Sequence, residues 1–479
     1  MTTNNQSQST HLNRKPYQPQ KIRKKSKKRR FTWIWLGLGM SSVAMLSATA
    51  GAWLAVSLSS TPLMRSQLTP EEASVFAQDD LTKTNLNLPE LTRPVNILVM
   101  GTKVLTSDLS RKPKKDLGYH ALVNSLDGLA DVMLLVRFDP HEERLVLLNI
   151  PRDTRAFVEG VGTTKLNEAN YYGGPSLAAK SISELLGGIT IDRYVRVNVQ
   201  GVEKLIDTLG GVTVYVPKDM EYQDDSQHLY IDLEKGEQHL NGDEALQFLR
   251  YRHDGLGDIG RIQRQQMMMR AMVQQTLKPS TVTRLPKILS VIQDHIDTNL
   301  SVEELVALVG FALDHQKDDL QMLMLPGRFN DIEEYNNVSY WLPNYQEIDT
   351  MMAEYFDIGW VEDGYEVKTP SQVRVAVQNS TESREAAYDL IDSLVEEGYR
   401  NTFLDRPWPQ PLPTTRIVAQ QGDVETARAL RRRLGFGEVR IESTGNLQSD
   451  ITIQLGKDWL QKHDQKELPP TQTKSDRYQ

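Results

Sequence analysis

The sequence predicts an α/β fold behind a single N-terminal membrane helix, with a second, smaller α/β module near the C-terminus. Three features predict it: apolar runs of strand length that alternate with amphipathic helical patterns, one long uncharged segment that follows a basic block, and a complete lack of cysteine in 479 residues. A chain of this size buries enough apolar area to do without disulfides, so an exported location is compatible with the composition. The zero cysteine count also excludes thiol catalysis, cysteine zinc sites and thiol redox chemistry.

Residues 1–70 contain no Asp or Glu, and the stretch Lys21–Arg30 is basic at eight of its ten positions. From Glu71 onward the balance reverses, with 44 basic against 63 acidic residues. The basic block is therefore local, which argues against a nucleic-acid-binding role for the folded part. No residue between Phe31 and Met64 is charged. That run is long enough for one bilayer crossing, and the positive-inside rule puts residues 1–30 in the cytoplasm, the anchor at 31–59 and the rest of the chain on the extracytoplasmic side of the cytoplasmic membrane. A cleaved signal peptide, with Ala48-Thr49-Ala50 as the small-residue site, is the alternative. Residues 60–90 read as a polar linker.

A larger unit is expected over 91–360. Its strands are predicted at 95–100, 131–138, 144–150, 191–198, 212–216 and 320–325, and its helices at 176–186, 200–209, 241–250, 259–278, 301–314 and 341–357. Asn241-Gly-Asp-Glu244 has the pattern of an N-cap with a capping-box Glu. Beyond a linker at 361–371, residues 372–458 form a weak strand–helix pseudo-repeat, with strands at 373–377, 416–419, 438–441 and 450–455 and helices at 383–397 and 424–434. Arg406-Pro-Trp-Pro-Gln-Pro-Leu-Pro413 is an extended connector within it. The tail 459–479 is polar and predicted to be disordered.

The densest chemical signal is Leu249–Gln266, which holds Arg250, Arg252, Arg261 and Arg264 among Gly255, Gly257 and Gly260. Guanidinium groups match phosphate oxygens two at a time and stay charged at any physiological pH. With Asp258 as the cap of a helix from about Ile259, Arg261, Arg264 and Gln265 fall on one face beside an anion-favouring N-terminus. A solvated, salt-bridged helix start is the plainer alternative. Arg152, Asp153 and Arg155 emerge where the 144–150 strand meets a loop, the usual place for a site in an open α/β sheet, and Lys165 and Asn167 add an ammonium and an amide. Asp131 opens a strand, with Asp127 four residues earlier. Beside arginines it either pairs with them or holds Mg²⁺ on a pyrophosphate. His253, beside Arg252, reads as an incidental exposed histidine.

These motifs in this order resemble the LytR-CpsA-Psr family of envelope glycopolymer ligases. The landmarks are Asn96-Ile-Leu-Val-Met-Gly101, Gly128-Leu-Ala-Asp-Val-Met133, Ile150-Pro-Arg-Asp-Thr154, Lys165-Leu-Asn167 and Phe248–Gln266, and 372–457 resembles the C-terminal module of a subset of the family. The resemblance implies a mixed central sheet between helices and an apolar groove for lipid. It also implies a phosphotransferase that joins a polyprenyl-pyrophosphate-linked glycopolymer to a peptidoglycan hydroxyl through a phosphodiester. On that reading Arg152, Arg250, Arg252, Arg261 and Gln265 hold the pyrophosphate with Lys165 and Arg264 close by, Asp131 binds Mg²⁺ (or Mn²⁺), and Asp153 or Asp131 serves as base. A lipid-pyrophosphate hydrolase and a non-catalytic polyprenyl-phosphate-binding regulator are the other functional classes. Two positions depart from the family pattern: Thr102 and Lys103 follow Gly101 where an Asp is common, and Leu129 stands where an Arg often precedes the metal Asp. Asp108 and Asp127 are the candidate substitutes for the missing carboxylate.

Overall fold

Apolar β-branched runs in this chain alternate sides with period two, and the sheet they build is buried on both faces. The computed structural model describes residues 67–83, 89–103, 126–225, 229–251, 257–278, 280–314, 320–359, 368–442 and 444–460. Six strands make the central sheet: β1 (Val95–Lys103), β2 (Leu129–Asp139), β3 (Arg144–Ile150), β4 (Arg193–Asn198), β5 (Ile296–Thr298) and β6 (Leu320–Met324), in the order β5-β4-β1-β2-β3-β6. The β1–β4 and β3–β6 pairs are parallel and the other three antiparallel, so the sheet is mixed. On one face Leu98 and Met100 pack with Ala178 and Ile182 of helix α1 (Glu168–Leu185). On the other, Val95 and Ile97 pack with Leu308 of a helix at Val302–Asp314. The period of a strand thus produces helix–sheet–helix layering from one uninterrupted apolar run.

Several boundaries differ from the expectations, each for a local reason. The helix predicted from residue 176 extends back to Glu168, across a kink at Gly173 and Gly174 (φ +63°) that Pro175 follows. Residues 280–295, not predicted as regular structure, form a helix that tolerates Pro286 within it. The segment read as a polar linker packs onto the domain: Phe76 and Leu81 are buried, with the Phe76 ring 5.1 Å from that of Tyr194. Burial of these two side chains, with Arg193 donating to the Ala77 carbonyl at 2.6 Å and Ser176 to the Glu72 carbonyl at 3.1 Å, docks a stretch whose average composition is polar. The predicted capping box is formed, with the Asn241 side chain accepting from Glu244 N–H at 3.0 Å and Glu244 accepting from Asn241 N–H at 2.9 Å. Residues 31–59 lie outside the described residues, among which no helix is long and apolar enough to cross a membrane.

The C-terminal strands Arg374–Asn379, Asn401–Leu404, Arg416–Val418, Glu438–Arg440 and Ile451–Leu455 form a separate five-stranded sheet, with helices Glu385–Glu396 and Val424–Leu434. Its sheet and the six-stranded sheet share one hydrophobic cluster, which includes Leu148, Leu323, Tyr355, Val375 and Ile453. Main-chain bonds cross between them, from Met322 N–H to the Ile441 carbonyl and from Met324 N–H to the Gln420 carbonyl, both 2.9 Å. Lys368 reaches Glu347 at 3.0 Å and Asp450 at 3.4 Å, and Glu442 takes both terminal nitrogens of Arg270. Trp459, assigned to the polar tail, is buried with its ring 5.1 Å from that of Phe436.

Burial pushes the Glu442 carboxyl up, but Arg270, with help from Arg416 and Arg440, holds it below its ordinary value; Arg374 and Lys368 do the same for Asp450. Because the folded values are lowered, the unfolded chain takes up protons first as the pH falls. The stability these groups give is complete above their ordinary values of 4.5 and 3.8 and is lost as the pH drops through the folded ones. Thermal melts between pH 7 and pH 3 should therefore show an acid-induced fall in Tm that Glu442→Gln flattens; an unchanged acid slope in that variant would rule out Glu442 as a source. At the sheet's other end the Arg196 guanidinium donates to buried Asp297 at 2.7 and 2.9 Å. Asp297→Ala should cost about 3–5 kcal/mol in urea unfolding, because it strands a buried guanidinium beside apolar strands.

Candidate active site: a carboxylate held between two arginines

A register and a turn build the site. In the antiparallel pair β2–β3, Met133 lies opposite Ile150. Two residues before Met133 is Asp131 and two after Ile150 is Arg152, so strand periodicity points both toward the same end of the same face. Pro151 has no N–H for the ladder and ends β3, and Thr154 N–H then bonds back to the Pro151 carbonyl at 3.0 Å. The buried Thr154 hydroxyl takes the same carbonyl at 2.6 Å. Arg152 and Asp153 become the two central residues of that turn.

Asn167 fixes the turn to the sheet through its main chain: its N–H donates to the Arg152 carbonyl at 3.1 Å, and its carbonyl accepts from Ala130 N–H at 3.2 Å. Trp341 N–H holds the Asp153 carbonyl at 2.9 Å. The local sequence around Ile150–Thr154 gives the turn, and Asn167 and Trp341 lock it from distant positions.

Asp131 Oδ1 accepts from Arg152 at 2.7 Å and Oδ2 accepts from Arg261 at 2.7 Å. Asp131 and Arg261 are nearly buried, with side chains 10% and 9% exposed, whereas Arg152 is 25% exposed. Asp153 Oδ1 meets Lys165 Nζ at 2.8 Å and its Oδ2 lies 3.4 Å from Arg152 Nε. Lys165 also sits over the Tyr340 ring, 5.8 Å from its centroid. A small cleft is lined by Asp131, Asn149, Arg152, Asp153, Arg261 and Gln265, with Phe329 at its edge. Three cations therefore converge on two carboxylates in a partly dehydrated cleft. Guanidinium groups that pair with carboxylate oxygens in this way match phosphate oxygens equally well.

The helix that carries Arg261 runs from Gly257 to Thr276, so Asp258 lies inside its first turn and is not its cap. Arg261 and Gln265 share the face toward Asp131. Arg264 does not: its guanidinium donates to the Tyr251 carbonyl and lies 5.9 Å from that ring's centroid, facing a second cleft. Arg250 ends the preceding helix, half-buried. Arg252 and His253 lie outside the described residues, as does Asp108.

Thr102 occupies the position where a second carboxylate was expected. It is buried opposite Ala130, and its hydroxyl donates to the Val197 carbonyl at 3.4 Å. Asp127 lies 3.5 Å from Arg196 instead. Among the described residues no cluster of three His, Asp or Glu side chains stands ready to hold a metal. Mg²⁺ is ordinarily held by one or two carboxylates together with substrate phosphates and water; both Asp131 oxygens here accept from guanidinium groups, so Asp131 would hold a cation only by giving up one of those contacts. Asn149 and Phe329 were missed because in sequence they are simply a strand residue and an aromatic.

Residues 64–357 match the model of the LytR_cpsA_psr family. The chain belongs to that family. Residues 372–459 match a second model, described as LytR cell envelope-related transcriptional attenuator. The regulatory protein MsrR of Staphylococcus aureus (strain COL) is 36% identical over 172 residues, which are 36% of this chain and 51% of that protein. The polyisoprenyl-teichoic acid–peptidoglycan teichoic acid transferase TagV of Bacillus subtilis (strain 168) is 30% identical over 275 residues, 55% of this chain and 65% of TagV. The chain thus spans about half the length of MsrR and just under two thirds of TagV. The crystal structure of B. subtilis TagV aligns with a TM-score of 0.46 at 28% identity, covering 56% of this chain and 99% of that one.

The contrast between the arginines is testable. In calorimetric titrations with inorganic pyrophosphate, Arg152→Ala and Arg261→Ala should each weaken binding by about 10- to 100-fold, since each removes a charge-assisted contact worth roughly 1.5–3 kcal/mol. Arg264→Ala should lie within about threefold of wild type; an equal loss there would put its guanidinium on the phosphate after all.

Proposed function

We propose that this member of the family is a phosphotransferase on the extracytoplasmic face of the cytoplasmic membrane. It takes a glycopolymer linked through pyrophosphate to a polyprenyl lipid and joins it to a peptidoglycan hydroxyl as a phosphodiester. The observation that carries the reading is the convergence of Arg152 and Arg261 on the two oxygens of Asp131. Such a cleft has little covalent work to offer and is suited to neutralising and aligning phosphate, which is most of what phosphoryl transfer requires. TagV, a relative over more than half of the chain, bears a transferase name of this class.

In the reaction, the acceptor oxygen attacks the sugar-proximal phosphorus while the bond from that phosphorus to the bridging oxygen breaks, and polyprenyl phosphate leaves. Arg152 and Arg261 neutralise the oxygens of the transferred group and of the leaving phosphate as charge develops there. Asp153, at the turn with Lys165 Nζ at 2.8 Å and Arg152 Nε at 3.4 Å, serves as the base, while Asp131 bridges the two guanidinium groups. Lys165 holds Asp153 in place through Oδ1 at 2.8 Å, and the proton taken from the acceptor hydroxyl passes from Asp153 to water. Mg²⁺ or Mn²⁺, held by Asp131, would add further neutralisation of the pyrophosphate. The uncharged run 31–59 serves as the anchor, and the basic residues 21–30 keep its N-terminal side in the cytoplasm.

A second reading has its own observation. Thr102 stands in place of a carboxylate, and the relative MsrR is named a regulatory protein, so the same cleft can hold a lipid phosphate without turning it over. Product analysis by mass spectrometry separates them, with the purified chain, a lipid-pyrophosphate oligosaccharide, a peptidoglycan oligomer and Mg²⁺. A phosphodiester conjugate should form and fall by about two to three decades in rate in Arg152→Ala. Donor that stays bound and intact would favour the regulator, and free sugar phosphate without conjugate would favour a hydrolase.

A further inference from the structure

On the adjacent face of the arginine-bearing helix a second cleft of about 610 Å³ opens between the larger domain and the C-terminal module. That volume falls within the range of small-ligand sites. One wall carries Lys218, Lys235 and Arg264; the other carries Arg406 and Trp408 with Asn446 and Gln448. Trp408 lies between Pro407 and Pro409 in the extended connector, and its main-chain N–H donates to the Asn379 carbonyl at 2.9 Å, which ties the connector to the sheet at this residue.

Three chemical properties of this cleft coincide. The negative face of an indole attracts the polarised axial C–H groups of a pyranose ring. Planar amides, here Asn446 and Gln448, present a donor and an acceptor side by side, as neighbouring sugar hydroxyls require. The charge is one-sided: Lys218, Lys235 and Arg406 are exposed, while the acidic Asp405 accepts from the Gln378 amide at 2.8 Å. Sugar-stacking surface, amides and excess cation describe a receptor for an acidic saccharide, not for a neutral one or for a purely apolar chain.

We propose that this cleft binds an anionic glycan strand, with Trp408 stacking on a sugar ring and Lys218, Lys235 and Arg406 taking its acidic groups. Arg264 of the cleft and Arg261 of the phosphate site are three residues apart on one helix, so a strand lying here runs directly beside the phosphate cleft. The C-terminal module is then a glycan-holding wall of the site. The inference stands on the cleft's own chemistry and requires no transfer step.

Calorimetry with the full chain tests it, using three probes of matched length. They are a peptidoglycan-derived tetrasaccharide with free muramic carboxylates, a phosphodiester-linked glycopolymer oligomer, and neutral chitotetraose. At least one acidic probe should bind 10-fold or more tightly than chitotetraose, and which one does so identifies acceptor or donor as its source. Trp408→Ala should weaken that binding at least 10-fold and Trp408→Tyr should restore most of it, while Lys218→Gln with Lys235→Gln should abolish the preference for acidic probes. Pyrophosphate binding, unchanged in all these variants, reports that they are folded. No preference for acidic probes in the wild type, or full binding by Trp408→Ala, would overturn the proposal. Conjugate formation that persists in Trp408→Ala alongside unaltered glycan binding would overturn it while leaving the transferase reading intact.

Discussion

Arg152 and Arg261 repel one another, and they stand together because Asp131 lies between them, one carboxylate oxygen to each at 2.7 Å. The sheet, the turn and the long helix all serve that arrangement. Asp131 is set by the β2–β3 register, Arg152 by the Pro151–Thr154 turn, and Arg261 by the first turns of a helix whose far end is tied to the C-terminal module through Arg270. The Asp131 carboxylate, only 10% exposed, offsets the repulsion between the two cations. The guanidinium groups are thus gathered before any anionic ligand arrives.

The same economy explains why the C-terminal module is not a loosely tethered appendage. Its sheet continues the hydrophobic cluster of the larger domain, and Met322 and Met324, on the edge strand of the central sheet, hydrogen-bond to it directly. An edge strand that would otherwise expose N–H groups is thereby covered. The ion pairs at Glu442 and Lys368 lie at this junction, and the second cleft is a consequence of it. One long helix therefore faces two clefts, with Arg261 and Gln265 toward the phosphate side and Gln263 and Arg264 toward the other.

Much of the fold was legible because its signals are local. Strand Arg144–Ile150 and helix Val424–Leu434 appear at the predicted residues, and the Asn241–Glu244 capping box forms as its pattern requires. Helix Ser280–His295 was hidden by Pro286, and the docking of Phe76 and Leu81 was hidden by the polar residues around them. In both cases tertiary packing outweighs the local preference. In the cleft, Arg152, Arg261, Asp131, Asp153 and Lys165 come together from residues whose charge and position marked them, and Arg261 and Gln265 share a face as their spacing required. Arg264 was grouped with them, yet the Tyr251 carbonyl and ring draw it toward the second cleft.

What the sequence by itself determined is the inventory: a basic block before an uncharged run, strands and helices in order, a proline that ends a strand just before Arg152, and the motif order of a LytR_cpsA_psr member. Only the tertiary structure decided which charges meet. Spacing along the chain fixes neighbours within a helix or a turn, whereas the Asp131–Arg261 contact spans 130 positions and depends on sheet register and helix docking. The Trp408 cleft belongs to the same category, since its two walls come from separate sheets that only packing brings face to face.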